Sequence, residues 1–151
     1  MQFFFYGTLM DPDVLRAVLG PAAVAFVEPA VLRGWRRVGL VGATYPVAVR
    51  AGRASQVDGV LAWGIDARGR ERLIAYEGDS YFMMRLPIEV RGKTVRAFVF
   101  VPRIDRPIRV SGPWDFAEWQ RVHKRRWIAG LRARSARRGV HAPIRVEGAC
   151  A

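Results

Sequence analysis

The chain opens on a dense apolar run, Phe3-Phe4-Phe5-Tyr6, which predicts a buried strand over residues 2–6. Asp11 to Leu19 carries helical spacing. Asp11 is a good N-cap residue, Pro12 suits the first helical position, and Gly20-Pro21 ends the run. Residues 24–35, rich in Val, Ala and Leu, predict a strand broken at Pro29. Residues 38–49 predict a second extended stretch with bends at Gly42 and Pro46. Alternation over residues 57–65 predicts another strand. Residues 67–76 have helical spacing, with Leu73 and Tyr76 on one side and Arg68, Arg70 and Arg72 elsewhere. Residues 81–90 and 93–101 read as a strand pair joined by a tight turn at Arg91-Gly92.

Ser111-Gly112-Pro113 then predicts the opening of a long basic helix over about 113–137. Phe116, Trp119, His123, Trp127 and Leu131 recur at steps of three and four, which makes one apolar stripe. That stripe is expected to bury Phe116, Trp119 and Trp127 against the sheet and to leave Arg125, Arg132 and Arg134 in solvent. The tail after Gly139 is expected to be irregular. Many strands with few helices argue for an α+β fold, in which a strongly curved sheet or small mixed β-barrel with flanking helices hides the strand edges.

Length adds one constraint. At 151 residues, 51% of them hydrophobic, the chain is long enough for one well-packed domain and short for two, so a single domain over 1–151 is expected. Charge adds a question. The net charge is +12, and residues 103–145 hold 12 basic and 3 acidic residues. A polyanion contact is the functional reading of that excess, and a solvated helical face is the simpler one. Arginine dominates throughout the chain, so no nucleic-acid partner is expected. Cys150 is the single cysteine, and with only His123 and His141 beside it neither a disulfide framework nor a Cys/His metal cluster is expected. The first apolar run is too short for a signal peptide and is interrupted by Gly7, and no stretch approaches a membrane span, so a cytoplasmic setting is expected.

Two places carry candidate chemistry. At Tyr6-Gly7-Thr8-Leu9 a strand runs through a glycine turn into a helix, a geometry that offers several backbone N–H groups to one anion. The alternative is an ordinary strand-to-helix turn. At Glu77 a carboxylate stands among Tyr76, Tyr81 and Phe82. Aromatic surroundings desolvate a carboxylate and raise its pKa, which suits it to general acid–base work. The alternative is a solvated glutamate before the Gly78 turn. Tyr45-Pro46 either lines a pocket or bends a strand. His123, on the apolar stripe, reads as a core histidine.

The order of motifs is more specific than any one of them. Phe-Tyr-Gly-Thr-Leu-Met-Asp-Pro, then Tyr-Pro, then Asp-Gly-Val-Leu-Ala-Trp, then Tyr-Glu-Gly-x-x-Tyr before a strand, resembles the gamma-glutamylcyclotransferase-like superfamily. The likeness is nearest to its short branch, which includes gamma-glutamylamine cyclotransferases. It covers most of residues 2–101 and reaches Trp114 to Trp119. The resemblance implies a small mixed β-barrel with flanking helices. It implies cyclisation of a small γ-glutamyl amide to 5-oxoproline with release of an amine, without cofactor or metal. It also implies roles: Glu77 as the catalytic acid/base, Tyr6, Gly7, Thr8 and Leu9 as the loop holding the glutamyl group, and Tyr81 beside the site, while Tyr45 is kept as a candidate substrate-binding residue. Two positions depart from the family pattern. Ile74 stands where an Asp is usual, and Met83 where an arginine is usual, the nearest arginine being Arg85. These departures keep a second reading open, a non-catalytic member of the fold that binds a small acidic ligand or a protein.

Overall fold

The computed structural model describes residues 1–139, apart from residues 24 and 106. The tail after Gly139, expected to be irregular, lies outside the described residues. Strand β1 (Phe3–Phe5) is fully buried. A 3₁₀ turn over Thr8–Met10 follows, and then helix α1 (Pro12–Leu19). Asp11 caps α1 as expected, its Oδ1 accepting the N–H groups of Asp13 at 2.9 Å and Val14 at 3.2 Å.

Five strands close a barrel in the order β1, β5 (Gln56–Trp63), β2 (Phe26–Arg33), β6 (Tyr81–Val90), β7 (Lys93–Pro102). β1 pairs antiparallel with β5 and parallel with β7, which seals the last edge. A separate sheet joins β3 (Trp35–Leu40) between β4 (Pro46–Arg50) and β8 (Val110–Pro113). The expected α+β barrel with flanking helices is therefore the observed architecture.

Alternation along β1 decides how the two cores divide. Successive strand residues point to opposite faces. Phe4 enters the barrel interior with Leu32, Ile88 and Val99. Phe3 and Phe5 face outward into a second cluster with Val14, Leu19, Leu73 and Trp119, beneath the helices. Gly59 makes room for the inward ring, because a Cβ there would come within 2.6 Å of the Phe4 ring.

Five expectations need correction. Pro29 does not break β2. That strand has a recorded second neighbour only at Val31, opposite Glu89, so a missing N–H is tolerated along it. The break falls at Gly34, φ 78°, where the chain passes into the other sheet. Residues 38–49 are not one stretch but parts of the antiparallel pair β3–β4. Ser111-Gly112-Pro113 belongs to a strand, since pairing with β3 claims it before the helix begins. The long helix is two, α3 (Phe116–Val122) and α4 (Lys124–Gly139), meeting at His123. Of its stripe only Trp119 is fully buried, whereas Phe116 and Trp127 are half-buried.

No helix among the described residues is long and apolar enough to cross a membrane.

Candidate active site

Helix α2 (Ala67–Glu77) starts at Asp66, whose Oδ1 accepts the Gly69 N–H at 2.7 Å. It ends with Glu77. Gly78 follows with φ 71°, and its N–H bonds the Ile74 carbonyl at 3.0 Å. A positive φ lets the chain leave the helix at once and enter β6 at Tyr81. Glu77 is thereby held at the end of the barrel, beside the first turn of the chain.

A cavity of about 850 Å³ opens there. Tyr6, Gly7, Thr8, Leu9, Tyr45, Glu77 and Tyr81, seven residues from three separate parts of the sequence, all line it. Neither family departure touches it. Ile74 is 39% exposed and lies away from the cavity wall. Met83 packs into the outer core, and the Arg85 guanidinium lies over the Phe98 ring at 5.5 Å.

The glycine turn is shaped by its neighbours. A Cβ on Gly7 would come to 3.2 Å from Pro46 Cγ, so glycine lets the turn lie against β4. Hydrogen bonding in the 3₁₀ turn begins with the Met10 N–H to the Gly7 carbonyl at 3.0 Å, which leaves the N–H groups of Gly7, Thr8 and Leu9 outside that ladder. Arg37 of β3 donates from Nη1 to the Tyr6 carbonyl at 3.0 Å and the Asp58 carbonyl at 3.1 Å. A trans peptide points its C=O and N–H in opposite directions. Holding the Tyr6 carbonyl against Arg37 therefore points the Gly7 N–H the opposite way, within the same peptide plane.

Glu77 receives no hydrogen bond or ion pair from the described residues. Burial pushes its carboxyl up to about 7. Three phenols surround it electrostatically. Burial raises Tyr6 well above the usual tyrosine value, with Tyr81 and Glu77 adding to the effect. Burial likewise raises Tyr81, with Glu77 next in weight, and pushes Tyr76 up to about 12. All three therefore stay protonated near neutral pH.

The hydroxyls are largely committed to the wall. Tyr6 donates to the Phe100 carbonyl at 2.7 Å. Thr8 Oγ1 lies 2.7 Å from the Tyr76 hydroxyl, so it serves this network rather than standing free for a ligand. The Trp127 indole donates to the same Tyr76 oxygen at 2.9 Å. Tyr81 reaches the Pro46 carbonyl only at 3.5 Å and is the loosest of the set. Tyr45 meets the Trp127 ring edge-on, centroids 5.9 Å apart.

Sequence reasoning overlooked Arg37 and the inner surface of α4. Arg37 is separated from Tyr6 by 31 positions, and only its place beside the inward-facing Val38 hints at a role. Trp127 was assigned wholly to the core, because an apolar stripe does not distinguish a residue facing protein from one facing a cavity.

The comparisons with known proteins agree with this architecture. The family model described as "Gamma-glutamyl cyclotransferase, AIG2-like" matches residues 3–120. AIG2-like protein A of Arabidopsis thaliana is 30% identical over 129 residues, which span 83% of this chain and 75% of that protein. A solution structure of an Arabidopsis thaliana protein superposes with a TM-score of 0.65 at 26% identity, covering 95% of this chain and 94% of that one. A solved gamma-glutamyl cyclotransferase superposes with a TM-score of 0.57 at 12% identity, covering 100% and 93%, a likeness of fold alone. The chain belongs to the gamma-glutamyl cyclotransferase, AIG2-like family.

Proposed function

We propose that this protein is a γ-glutamylcyclotransferase-type enzyme that converts a γ-glutamyl amide into 5-oxoproline and a free amine. The observation that carries the reading is Glu77. It is a carboxylate without a partner among the described residues, raised by burial to about 7, in the cavity lined by the Gly7 turn. A group poised near neutral pH can accept a proton and return it.

The nucleophile is the substrate's own α-amino nitrogen. Glu77 takes a proton from it as the nitrogen attacks the γ-carbonyl carbon, and a five-membered ring closes. The carbon–nitrogen bond to the amine then breaks as Glu77 returns the proton to the departing nitrogen. Atoms balance without water. The N–H groups of Gly7, Thr8 and Leu9 hold the α-carboxylate or the developing oxyanion. Tyr81 and Tyr45 wall the folded glutamyl chain. Holding that chain bent recovers much of the ~7–11 kcal/mol available to a well-oriented intramolecular reaction.

The test is 5-oxoproline release from a panel of γ-glutamyl compounds by wild type and Glu77→Gln. The variant keeps shape but cannot shuttle a proton, so turnover should fall by at least ~10²–10⁴-fold. Equal rates would reject Glu77 as the proton carrier. Absence of turnover on every compound would favour the reading of a small-ligand binder on the same fold.

A further inference from the structure

A chain of hydrogen bonds in the cavity wall ends on a proton that the wall does not use. The Trp127 indole nitrogen lies 2.9 Å from the Tyr76 oxygen, and that oxygen lies 2.7 Å from Thr8 Oγ1. All three residues line the cavity beside the Gly7 turn. An indole N–H donates and never accepts, so the Tyr76 oxygen accepts from Trp127. Two hydroxyl protons remain, one on Tyr76 and one on Thr8. The contact between the two oxygens uses one of them. The other has no acceptor among the described residues.

Acidity decides which proton is spent. A phenol titrates near about 10, and an aliphatic hydroxyl is a far weaker acid. An oxygen that accepts one hydrogen bond also becomes a stronger donor of the next. Tyr76 meets both conditions. Burial pushes it up to about 12, with the Thr8 and Trp127 contacts and the Arg134 charge opposing part of the rise. It therefore holds a proton at neutral pH and can give it in a hydrogen bond.

The head of the chain is held firmly. Trp127 belongs to α4, which begins at Lys124, beyond the residues that the family model matches. A buried carboxylate fastens that helix. Asp11 is fully buried, and its Oδ2 accepts from Gln120 at 2.7 Å and from Lys124 at 2.8 Å. Trp127 lies three residues on, on the same helix face. Its ring meets Tyr45 and Trp119 edge-on, with centroids 5.9 Å and 6.1 Å away. The indole N–H is thereby kept on Tyr76.

We infer that the chain runs one way, from Trp127 through Tyr76 to Thr8, and that the Thr8 hydroxyl donates to the anionic group of the bound molecule beside the N–H groups of Gly7, Thr8 and Leu9. Thr8 serves the network with a lone pair, and that service aims its proton at the cavity instead of leaving it to rotate. Tyr76 and Trp127 are positioning residues that act through Thr8. That the anion is the α-carboxylate or the oxyanion of a glutamyl group rests on the cyclotransferase reading.

The test is calorimetric titration with 5-oxoproline, which carries both possible acceptors, a carboxylate and a ring carbonyl oxygen. Thr8→Val should weaken binding by about tenfold or more, the loss of one hydrogen bond to a charged group. Thr8→Ala, which brings no added methyl group, should match it. Thr8→Ser keeps the hydroxyl and should stay within about twofold of wild type. Tyr76→Phe and Trp127→Phe should each weaken binding by about threefold, in the range of a neutral hydrogen bond. In the Thr8→Val background neither should add more than about twofold, because both act through the hydroxyl already removed. Losses that simply multiply would overturn the inference, since they mark packing and not a relay. So would a Thr8→Val affinity within about twofold of wild type. No binding of 5-oxoproline by wild type would also overturn it, whatever the turnover assay shows. The expected pattern without turnover of any γ-glutamyl compound would sustain the Thr8 donor and end the cyclotransferase reading.

Discussion

Glu77 concentrates the proposed chemistry in one side chain, and its burial has a sign that stability measurements can read. Its folded pKa, about 7, lies above the ordinary carboxyl value of 4.5. Below about pH 4.5 it is protonated whether folded or unfolded, and it costs nothing. As pH rises through about 7 the folded state must hold an ionised carboxylate in a desolvated place, and stability is lost. Glu77→Gln removes that cost. The variant should be more stable than wild type at pH 8, by on the order of 3 kcal/mol at about 1.4 kcal/mol per tenfold change in proton affinity. The advantage should vanish near pH 4.5. Urea unfolding at the two pH values checks this, and an advantage that does not grow with pH would contradict it. Arg37 acts at the same scale through another residue. Arg37→Gln frees the Tyr6 carbonyl and loosens the Gly7 N–H. Binding of 5-oxoproline should weaken by about tenfold, a typical value for one charged hydrogen bond, while the Glu77 titration midpoint stays in place. Unchanged affinity would remove Arg37 from the account.

At the scale of elements, the two C-terminal helices divide labour. α3 is structural. Trp119 is 1% exposed, stacked on Phe116 at 6.3 Å and edge-on to Trp127 at 6.1 Å. Trp119→Ala should cost about 3–5 kcal/mol, the range for truncating a large buried aromatic ring. Trp127→Ala should cost less, because that ring is half-buried and one side faces the cavity. Denaturant midpoints compare the two, and equal losses would contradict the division. Asp11 couples these helices to the first. Its carboxyl feels burial most strongly, which raises its pKa. The Lys124 ammonium, the Gln120 amide and the N–H groups of Val14 and Asp13 together outweigh that and hold it below the ordinary value. The attachment is therefore retained above the ordinary carboxyl range and lost as pH falls through the lowered value.

Across the whole molecule, what could be read from the sequence followed how local each signal was. The cap at Asp11, the helix expected over residues 67–76 and the Arg91-Gly92 hairpin rest on neighbours within a few positions. Each appears in the fold, the hairpin with positive φ at both turn residues. Pairing decisions did not show. β8 looks like a helix start until β3 claims it, and Gly34 rather than Pro29 divides the strands, because barrel and side sheet compete for the same segment. In the candidate site, Gly7 and Glu77 stood out by motif. Arg37 and Arg134 did not, since each gains meaning only from a partner far away in sequence. The arginine excess of the last third is split the same way. Arg125 and Arg132 face an outer groove, while Arg134 reaches the cavity.

The central claim is that Glu77 is a desolvated carboxyl sharing one cavity with the Gly7 turn, which is proposed to hold the glutamyl group. Carbon-13 NMR titration of the Glu77 side-chain carboxyl, alone and with 5-oxoproline added, tests it most directly. The account predicts a midpoint near pH 7 that moves when 5-oxoproline binds. A midpoint near the ordinary value of 4.5, unmoved by saturating 5-oxoproline, would contradict it.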